Sequence, residues 1–146
     1  MSKSNSWETS LLNHLFNNAA VANVGDATGL PASGTAGSLW VSLHTADPGE
    51  AGAQNTSEAN YTSYARVAVA RTSGGWTISG DTVTNTAAIT FPTATGGSNT
   101  ITHFGVGTSS SGAGTLLYYG AVSPNLAVSN GIAPNFNAGQ LSITEG

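Results

Sequence analysis

The sequence contains no cysteine among its 146 residues. Disulfide bonds and thiolate metal sites are therefore excluded, and the fold must depend on packing and hydrogen bonding alone. A chain of this length forms a single domain and buries roughly 68–70% of the surface that its unfolded form exposes. A sizeable core is thus accessible without cross-links.

Charge is also scarce, because only 7% of the residues are Asp, Glu, Lys or Arg, against about 25% in ordinary soluble domains. Three of these residues are basic, namely Lys3, Arg66 and Arg71. Three cations cannot form the positive track that a phosphate backbone requires, so nucleic-acid binding is excluded. Serine and threonine number 37, which predicts a surface of hydroxyl groups that repels other copies weakly and suits a protein packed against neighbours.

Long hydrophobic runs are missing as well. No stretch of 18 apolar residues exists, so no membrane span is predicted. The N-terminal segment lacks the continuous apolar centre of a secretory signal, and we expect synthesis in a cytoplasm without export. The glycosylation motifs at Asn55 and Asn60 are accordingly interpreted as chance matches.

One segment has the periodicity of a helix. In "SWETSLLNHLFNNAA" the apolar residues fall on one stripe of a 3.6-residue period, with Ser6 as the expected N-cap and Glu8 in the first turn. This stripe either packs against the domain's own sheet or docks on a neighbouring subunit. We predict an N-terminal helical arm over residues 1–22 and a single β-sandwich domain over residues 23–146.

The remainder of the chain alternates apolar and polar residues with a period of two. The clearest examples are "LWVSLH", "YARVAVAR", "TITHFGVG" and "TLLYYGAV", and turn signals separate such runs every 8–12 residues. "LAVSNG" is predicted as a further, separate strand. The pattern predicts a mainly β fold, an antiparallel β-sandwich or jelly-roll-like barrel of about eight strands with one N-terminal α-helix.

The glycine-rich stretch "GVGTSSSGAGTLLYYG" resembles a phosphate-binding loop only in its glycines. It lacks the lysine and the following helix of a P-loop, and the acidic partner of a dinucleotide site. We predict a hairpin in which Gly112 and Gly114 form the turn. Gly105 and Gly107 lie inside a strand pattern, where a bulge or a closely approaching neighbouring backbone usually requires glycine.

Nothing in the sequence specifies a catalytic centre. His14, His44 and His103 lack metal-ligand spacing, no G-x-S-x-G motif occurs, and most acidic residues fall in loop-like contexts. We therefore predict a non-enzyme with no catalytic, cofactor-binding or metal-binding residues. Tyr61 and Tyr64 are expected to be exposed, and with Trp76 they keep open the alternative of a sugar-stacking platform.

Several segments appear in an order that resembles a known family, namely "LLNHLF", "LHTADP", "YARVAV", "THFGVG" and the closing "NFNAGQLSITEG". From about Leu11 to Glu145 the chain looks like the small bacteriophage virion proteins commonly labelled "tail fibre-like". This resemblance implies a structural role in the virion and brings no catalytic residues.

From the resemblance, the small size and the low charge we predict a capsid decoration, or cement, protein. It would bind the outside of the shell and connect neighbouring subunits, with the major capsid protein or other virion proteins as partners and as a homo-oligomer, either a dimer or a trimer. The predicted contact residues are Trp7, Leu11, Leu15, Phe16, Tyr61 and Tyr64. The alternative is a head- or tail-fibre component that binds a host surface glycan.

Overall fold

A single helix, α1 (Asn5–Asn17), precedes nine strands in a computed structural model that describes residues 1–146. The strands are β1 (Ser38–His44), β2 (Val67–Ala70), β3 (Trp76–Ser79), β4 (Thr82–Asn85), β5 (Ile89–Thr90), β6 (Asn99–Gly107), β7 (Leu116–Val128), β8 (Asn135–Phe136) and β9 (Ser142–Thr144). The chain's one helix is neither long nor apolar enough to cross a membrane.

The strands form three sheets with the orders β2-β1-β6-β7, β3-β4-β9 and β5-β8. Neighbouring strands pair in antiparallel fashion, as in the register of β1 with β6, where Trp40 faces Gly107 and His44 faces His103. The predicted fold class is confirmed, since the protein is mainly β, antiparallel and carries one N-terminal helix, an arrangement consistent with a β-sandwich.

The strand boundaries differ from prediction in three places. "YARVAVAR" forms a strand only over Val67–Ala70, and β8 is too short for a period-two pattern to reveal. The runs "TLLYYGAV" and "LAVSNG" belong to one strand, β7. They look like two strands in the sequence because the residues between them bulge out of the ladder and interrupt the alternation. The register changes between Ile101 and His103, whose partners are Leu126 and Ala121, so β7 uses more residues than β6 over this distance.

The chain divides into two compact units. The first contains Met1–Ser38, Ala70–Ala88 and Asn137–Gly146, and the second contains Leu39–Val69 and Ile89–Phe136. This grouping places α1 in one unit with β3, β4 and β9. The division into an N-terminal helical arm over residues 1–22 and a β-sandwich domain over residues 23–146 stays a prediction.

In the first unit, α1 packs against β3 and β4 through its apolar stripe. Leu12 and Phe16 are fully buried, and the Phe16 ring meets the buried Trp76 ring edge-on, with centroids 4.9 Å apart. The helix N-cap is Ser4 instead of the predicted Ser6, because the Ser4 side chain accepts from the backbone N–H of Trp7 at 3.4 Å.

The C-terminal end of α1 is capped by a cation from the same unit. The Arg71 guanidinium donates from Nε to the Leu15 carbonyl at 2.6 Å and from Nη2 to the His14 carbonyl at 2.7 Å. A positive charge at this end also complements the helix dipole. Near the two chain ends, Lys3 Nζ lies 2.9 Å from Glu145 Oε1.

The second unit has an aromatic core. Phe91 stacks on Tyr64 with centroids 6.4 Å apart and contacts Phe136 edge-on at 6.3 Å. Phe136 in turn contacts Phe104 edge-on, and Tyr61 contacts Tyr64 in the same manner at 5.4 Å. Aromatic side chains from a loop, β6 and β8 therefore meet in one cluster, which the polar residues described below border.

Candidate functional site

A buried ion pair lies at the centre of the second unit. The Arg66 side chain donates from Nε to Glu58 Oε1 at 2.7 Å and from Nη2 to Glu58 Oε2 at 2.8 Å, a bidentate geometry. Arg66 is only 6% exposed. Its remaining donors reach the carbonyls of Ser109 at 2.7 Å and Gly112 at 2.6 Å. One side chain thus ties the loop after β1 to the turn between β6 and β7.

Tyr64 completes this ion-pair cluster. Its hydroxyl donates to Glu58 Oε1 at 2.9 Å and accepts from the Leu43 amide at 3.1 Å. Burial raises the pKa of Tyr64 well above its ordinary value, and the hydrogen bonds to Glu58 raise the pKa of Arg66. The tyrosine is therefore neutral and the guanidinium charged at neutral pH.

Gln54 anchors the same loop to the glycine-rich stretch. Its side chain is fully buried, donating to the Trp40 carbonyl at 3.3 Å and accepting from the Ser109 amide at 2.8 Å. A Cβ atom added to Gly107 or Gly114 would collide with the Gln54 side chain. The register shift between Val106 and Gly107 agrees with the bulge predicted for this strand, whereas the group that approaches Gly107 is the Gln54 side chain and not a neighbouring backbone.

Ser42 and His44 form a second buried pair on β1. His44 Nδ1 donates to the Thr56 carbonyl at 2.8 Å, so Nε2 accepts from the Ser42 hydroxyl at 2.9 Å. A Cβ atom on Gly105 would lie 2.7 Å from both side chains, which explains the glycine at this position. Both side chains are fully buried and burial lowers the pKa of His44, so this Ser–His contact serves packing and is closed to substrates.

The glycine-rich hairpin is confirmed in its turn as well. Gly112 and Gly114 have φ values of 71° and 53°, in the left-handed region that only glycine adopts readily. The backbone amide of Thr108 donates to the Thr115 carbonyl at 3.1 Å, closing the turn between β6 and β7. The stretch therefore binds the protein's own side chains and presents β7.

The expectation that Tyr61 is exposed is wrong. Tyr61 is 2% exposed, and its hydroxyl donates to the Pro92 carbonyl at 2.9 Å. Tyr64 is committed to Glu58, and Trp76 is fully buried in the first unit. Tyr61 and Trp76 lie in the interior and Tyr64 is half-buried, because each ring packs on another ring, so the three do not form a sugar-stacking platform.

Among the predicted contact residues on the helix, Trp7, Leu11 and Leu15 are half-buried and keep some accessible surface. Phe16 is fully buried against Trp76 and offers no surface to a partner in this conformation. The four residues on α1 belong to the first unit and the two tyrosines belong to the second. The contact role of the three half-buried residues stays a prediction.

All three cations of the chain are engaged internally. Lys3 pairs with Glu145, Arg66 with Glu58, and Arg71 with the carbonyls at the end of α1. The exposed charged residues are acidic, and they are Asp26, Asp47, Glu50 and Asp81. No group of three or more His, Asp or Glu side chains is placed to hold a metal ion, although His103 Nε2 lies 4.0 Å from Asp47 Oδ2.

One accessible feature was missed by sequence reasoning. β7 is an edge strand of the four-stranded sheet, and Leu116–Gly120 are all half-exposed instead of alternating between buried and exposed. Its apolar sequence "LLYYGA" suggested a half-buried strand, and only the sheet order shows that one edge and part of both faces are uncovered. The only available signal was its length together with its lack of charge.

The geometry thus comprises a buried set of polar side chains, cations that are engaged within the chain and an accessible apolar strand edge. A family model described as "Podophage GP4 fiber I protein gp80" matches residues 2–144. The chain belongs to this family and is a phage virion structural protein of fibre-like type, as the resemblance noted above implied. No curated protein matches the chain.

Replacing Gly107 by alanine is expected to lower the free energy of unfolding by roughly 1–3 kcal/mol, because the new methyl group overpacks against Gln54. In a Gln54→Ala background the same change is expected to cost clearly less, since the obstructing side chain is gone. Urea denaturation measures both effects, and Gly34→Ala, at a position with open space, is the matched control. Strict additivity of the two changes would contradict the proposed contact.

The buried His44 predicts a pH dependence of stability. Its pKa is lowered in the folded state, so the unfolded chain binds more protons and the unfolding free energy decreases as pH falls below about 6.5. The slope is at most about 1.4 kcal/mol per pH unit for one group. Denaturation of the wild type and His44→Gln between neutral and mildly acidic pH is expected to show a shallower slope for the variant. Equal slopes would contradict this assignment.

Proposed function

We propose that this protein is a fibre component of a podophage virion, built into the particle through contacts of its own surface. The observation that carries the proposal is the family match over residues 2–144, because the family is described as a fiber I protein. The engaged cations and the half-exposed apolar side chains of α1 and β7 support a role based on contacts.

A glycan-binding version of this fibre role would need a binding platform other than the predicted one. Tyr61 and Trp76 are buried, so a host glycan has no access to their rings without unfolding. Such a ligand would reach half-exposed aromatic residues, among them Trp7, Trp40, Tyr118 and Tyr119. The contact-forming role does not depend on a glycan.

Capsid decoration is the second candidate, and the shape of the elements favours it. A long fibre shaft requires repeats, whereas this chain has nine strands of differing length and one helix of 13 residues. A decoration protein binds the shell through standard interfaces of roughly 1,600 Å², strengthened by the many copies on one particle. The half-exposed Trp7, Leu11 and Leu15 would then contact the major capsid protein.

Electron microscopy of intact virions labelled with a gold-conjugated antibody against this chain separates the two roles. Gold confined to fibres supports the fibre role, and gold distributed over the shell supports decoration. Virions from a phage that lacks the gene provide the control. Absence of specific gold from both places, with the protein detected in purified virions by mass spectrometry, would contradict both roles.

The helix contribution requires point substitutions, because deletion of residues 1–20 would also remove Leu12 and Phe16 from the core. Incorporation of a Leu11→Ser, Leu15→Ser double variant into virions tests the half-exposed face of α1 directly. The fold of the variant is checked by circular dichroism beforehand. Full incorporation of the folded variant would show that this face makes no essential contact.

A further inference from the structure

The outer edge of β7 is the longest unpaired strand edge in the protein. β7 contains 13 residues and pairs with β6 on one side only, since it ends the sheet order β2-β1-β6-β7. An exposed edge presents backbone N–H and C=O groups that another strand can bind, and natural proteins usually protect such edges. Such protection distinguishes the other strand edges of the molecule from β7.

The other edges carry recognisable protection. β2 is four residues long and is flanked by Arg66 and Arg71, while β3 and β9 are four and three residues long and include exposed threonine and serine. Short strands and nearby polar or charged side chains are the usual devices against edge-to-edge pairing. β7 alone combines length with an apolar sequence.

Protection within β7 covers only its second half. Pro124 lacks a backbone N–H, and the register shift opposite Ile101–His103 bulges this part of the strand out of the ladder. The first half, Leu116–Ala121, contains neither proline nor a charged residue. It is thus the only long, apolar and unprotected strand edge of the chain.

The sequence of this first half is complementary to itself. In an antiparallel pair about a two-fold axis, opposing residues lie on the same face of the sheet, so the axis passes at one residue, which faces its own copy. An axis at Tyr119 places Tyr118 opposite Gly120 and Leu117 opposite Ala121 of the second copy. Tyr118 and Leu117 then each face a small residue, Tyr119 faces its own copy, and the glycine is covered by an aromatic ring, a known way of stabilising glycine in strands.

Gly120 is suited to this arrangement by its own sheet. A Cβ atom on Gly120 would lie 2.9 Å from the Phe104 ring, so the ring of β6 already covers this position. An aromatic side chain from a second copy would extend the aromatic contact across Gly120, a favourable cross-strand pairing. A residue larger than glycine would displace Phe104 and would leave no room for the aromatic ring of the second copy.

Charge also favours a second copy as the occupant. The chain has a net charge of −4, but its exposed acidic residues Asp26, Asp47, Glu50 and Asp81 all lie outside Leu116–Val128. Two copies can therefore bring this segment together without placing like charges opposite one another. A cationic partner would gain nothing from this strand, because the strand offers it no carboxylate.

We propose that two copies of this chain pair through the first half of β7, antiparallel and centred on Tyr119, joining their four-stranded sheets into one continuous sheet. A six-residue strand extends about 20 Å, so the interface is small and the isolated dimer is weak, with a dissociation constant in the micromolar range. Tethering many copies on one particle strengthens it. This inference goes beyond the proposed function, because it applies to the isolated chain and holds for a fibre or a shell position alike.

Sedimentation equilibrium of the purified full chain tests the proposal. The wild type is expected to change from monomer to dimer between micromolar and millimolar concentration. Tyr119→Lys places two lysines opposite each other across the axis and is expected to weaken the dimer roughly tenfold or more. Asn125→Lys, exposed in the protected half of the same strand, is the matched control and leaves the constant unchanged.

A mixing experiment separates loss of the interface from loss of the fold. Tyr119→Lys and Tyr119→Glu are each expected to be monomeric, and an equimolar mixture is expected to form a heterodimer because opposite charges now face each other. In the unmodified protein, the amides of residues 116–121 are expected to exchange more slowly at millimolar than at micromolar concentration, a readout that needs no variant.

Several results would overturn the proposal. A wild-type chain that stays monomeric at millimolar concentration, or that forms a closed trimer, contradicts the two-fold strand pairing. A dimer that is unaffected by Tyr119→Lys, or whose β7 amides exchange at the same rate at both concentrations, forms through another surface. None of these outcomes bears on where the protein is located in the virion, which the gold-labelling experiment decides separately.

Discussion

The bidentate ion pair between Arg66 and Glu58 is the interaction on which the second unit depends. Both members lie in the loop between β1 and β2, and Arg66 also holds the carbonyls of Ser109 and Gly112 in the distant β6–β7 turn. Removing one partner of such a buried pair typically costs about 3–5 kcal/mol, because an uncompensated charge remains. The chain has only three cations, and one of them is buried in this ion pair.

The glycines near the ion pair follow from the same constraint. Once Arg66 and Gln54 hold the loop after β1 against the hairpin, the space beside Gly105, Gly107 and Gly114 is filled by Ser42, His44 and Gln54. The backbone of β6 must then have no side chains at these positions. The hairpin that results is rigid in its turn and projects β7 as an edge strand, so the buried polar cluster determines which surface the protein presents to its neighbours.

Much of the secondary structure could be predicted from periodicity, because it depends on local alternation. The 3.6-residue stripe of α1 and the period-two pattern of β1 and β6 both arise from which face of the element meets the core. The burial of Gln54 and Tyr61 could not be predicted in this way, since polar residues in a loop are buried only if distant partners satisfy them. From its sequence, the segment "TADPGEAGAQNTSEANYTS" is therefore predicted to be a solvated loop with an exposed tyrosine.

The virion role was accessible from the order of motifs along the chain, whereas the location of the protein in the particle and the edge strand of β7 were not. Sheet order depends on pairings between remote strands, which a single sequence does not specify.

The most direct measurement of the central claim is native-state hydrogen exchange of the unmodified protein. If the ion-pair cluster holds the loop and the hairpin as one unit, the amides of Gln54, Ala59 and Ser109 exchange with the same opening free energy. A markedly lower opening free energy for Gln54 and Ala59 than for Ser109 would show an independently mobile loop and contradict the account.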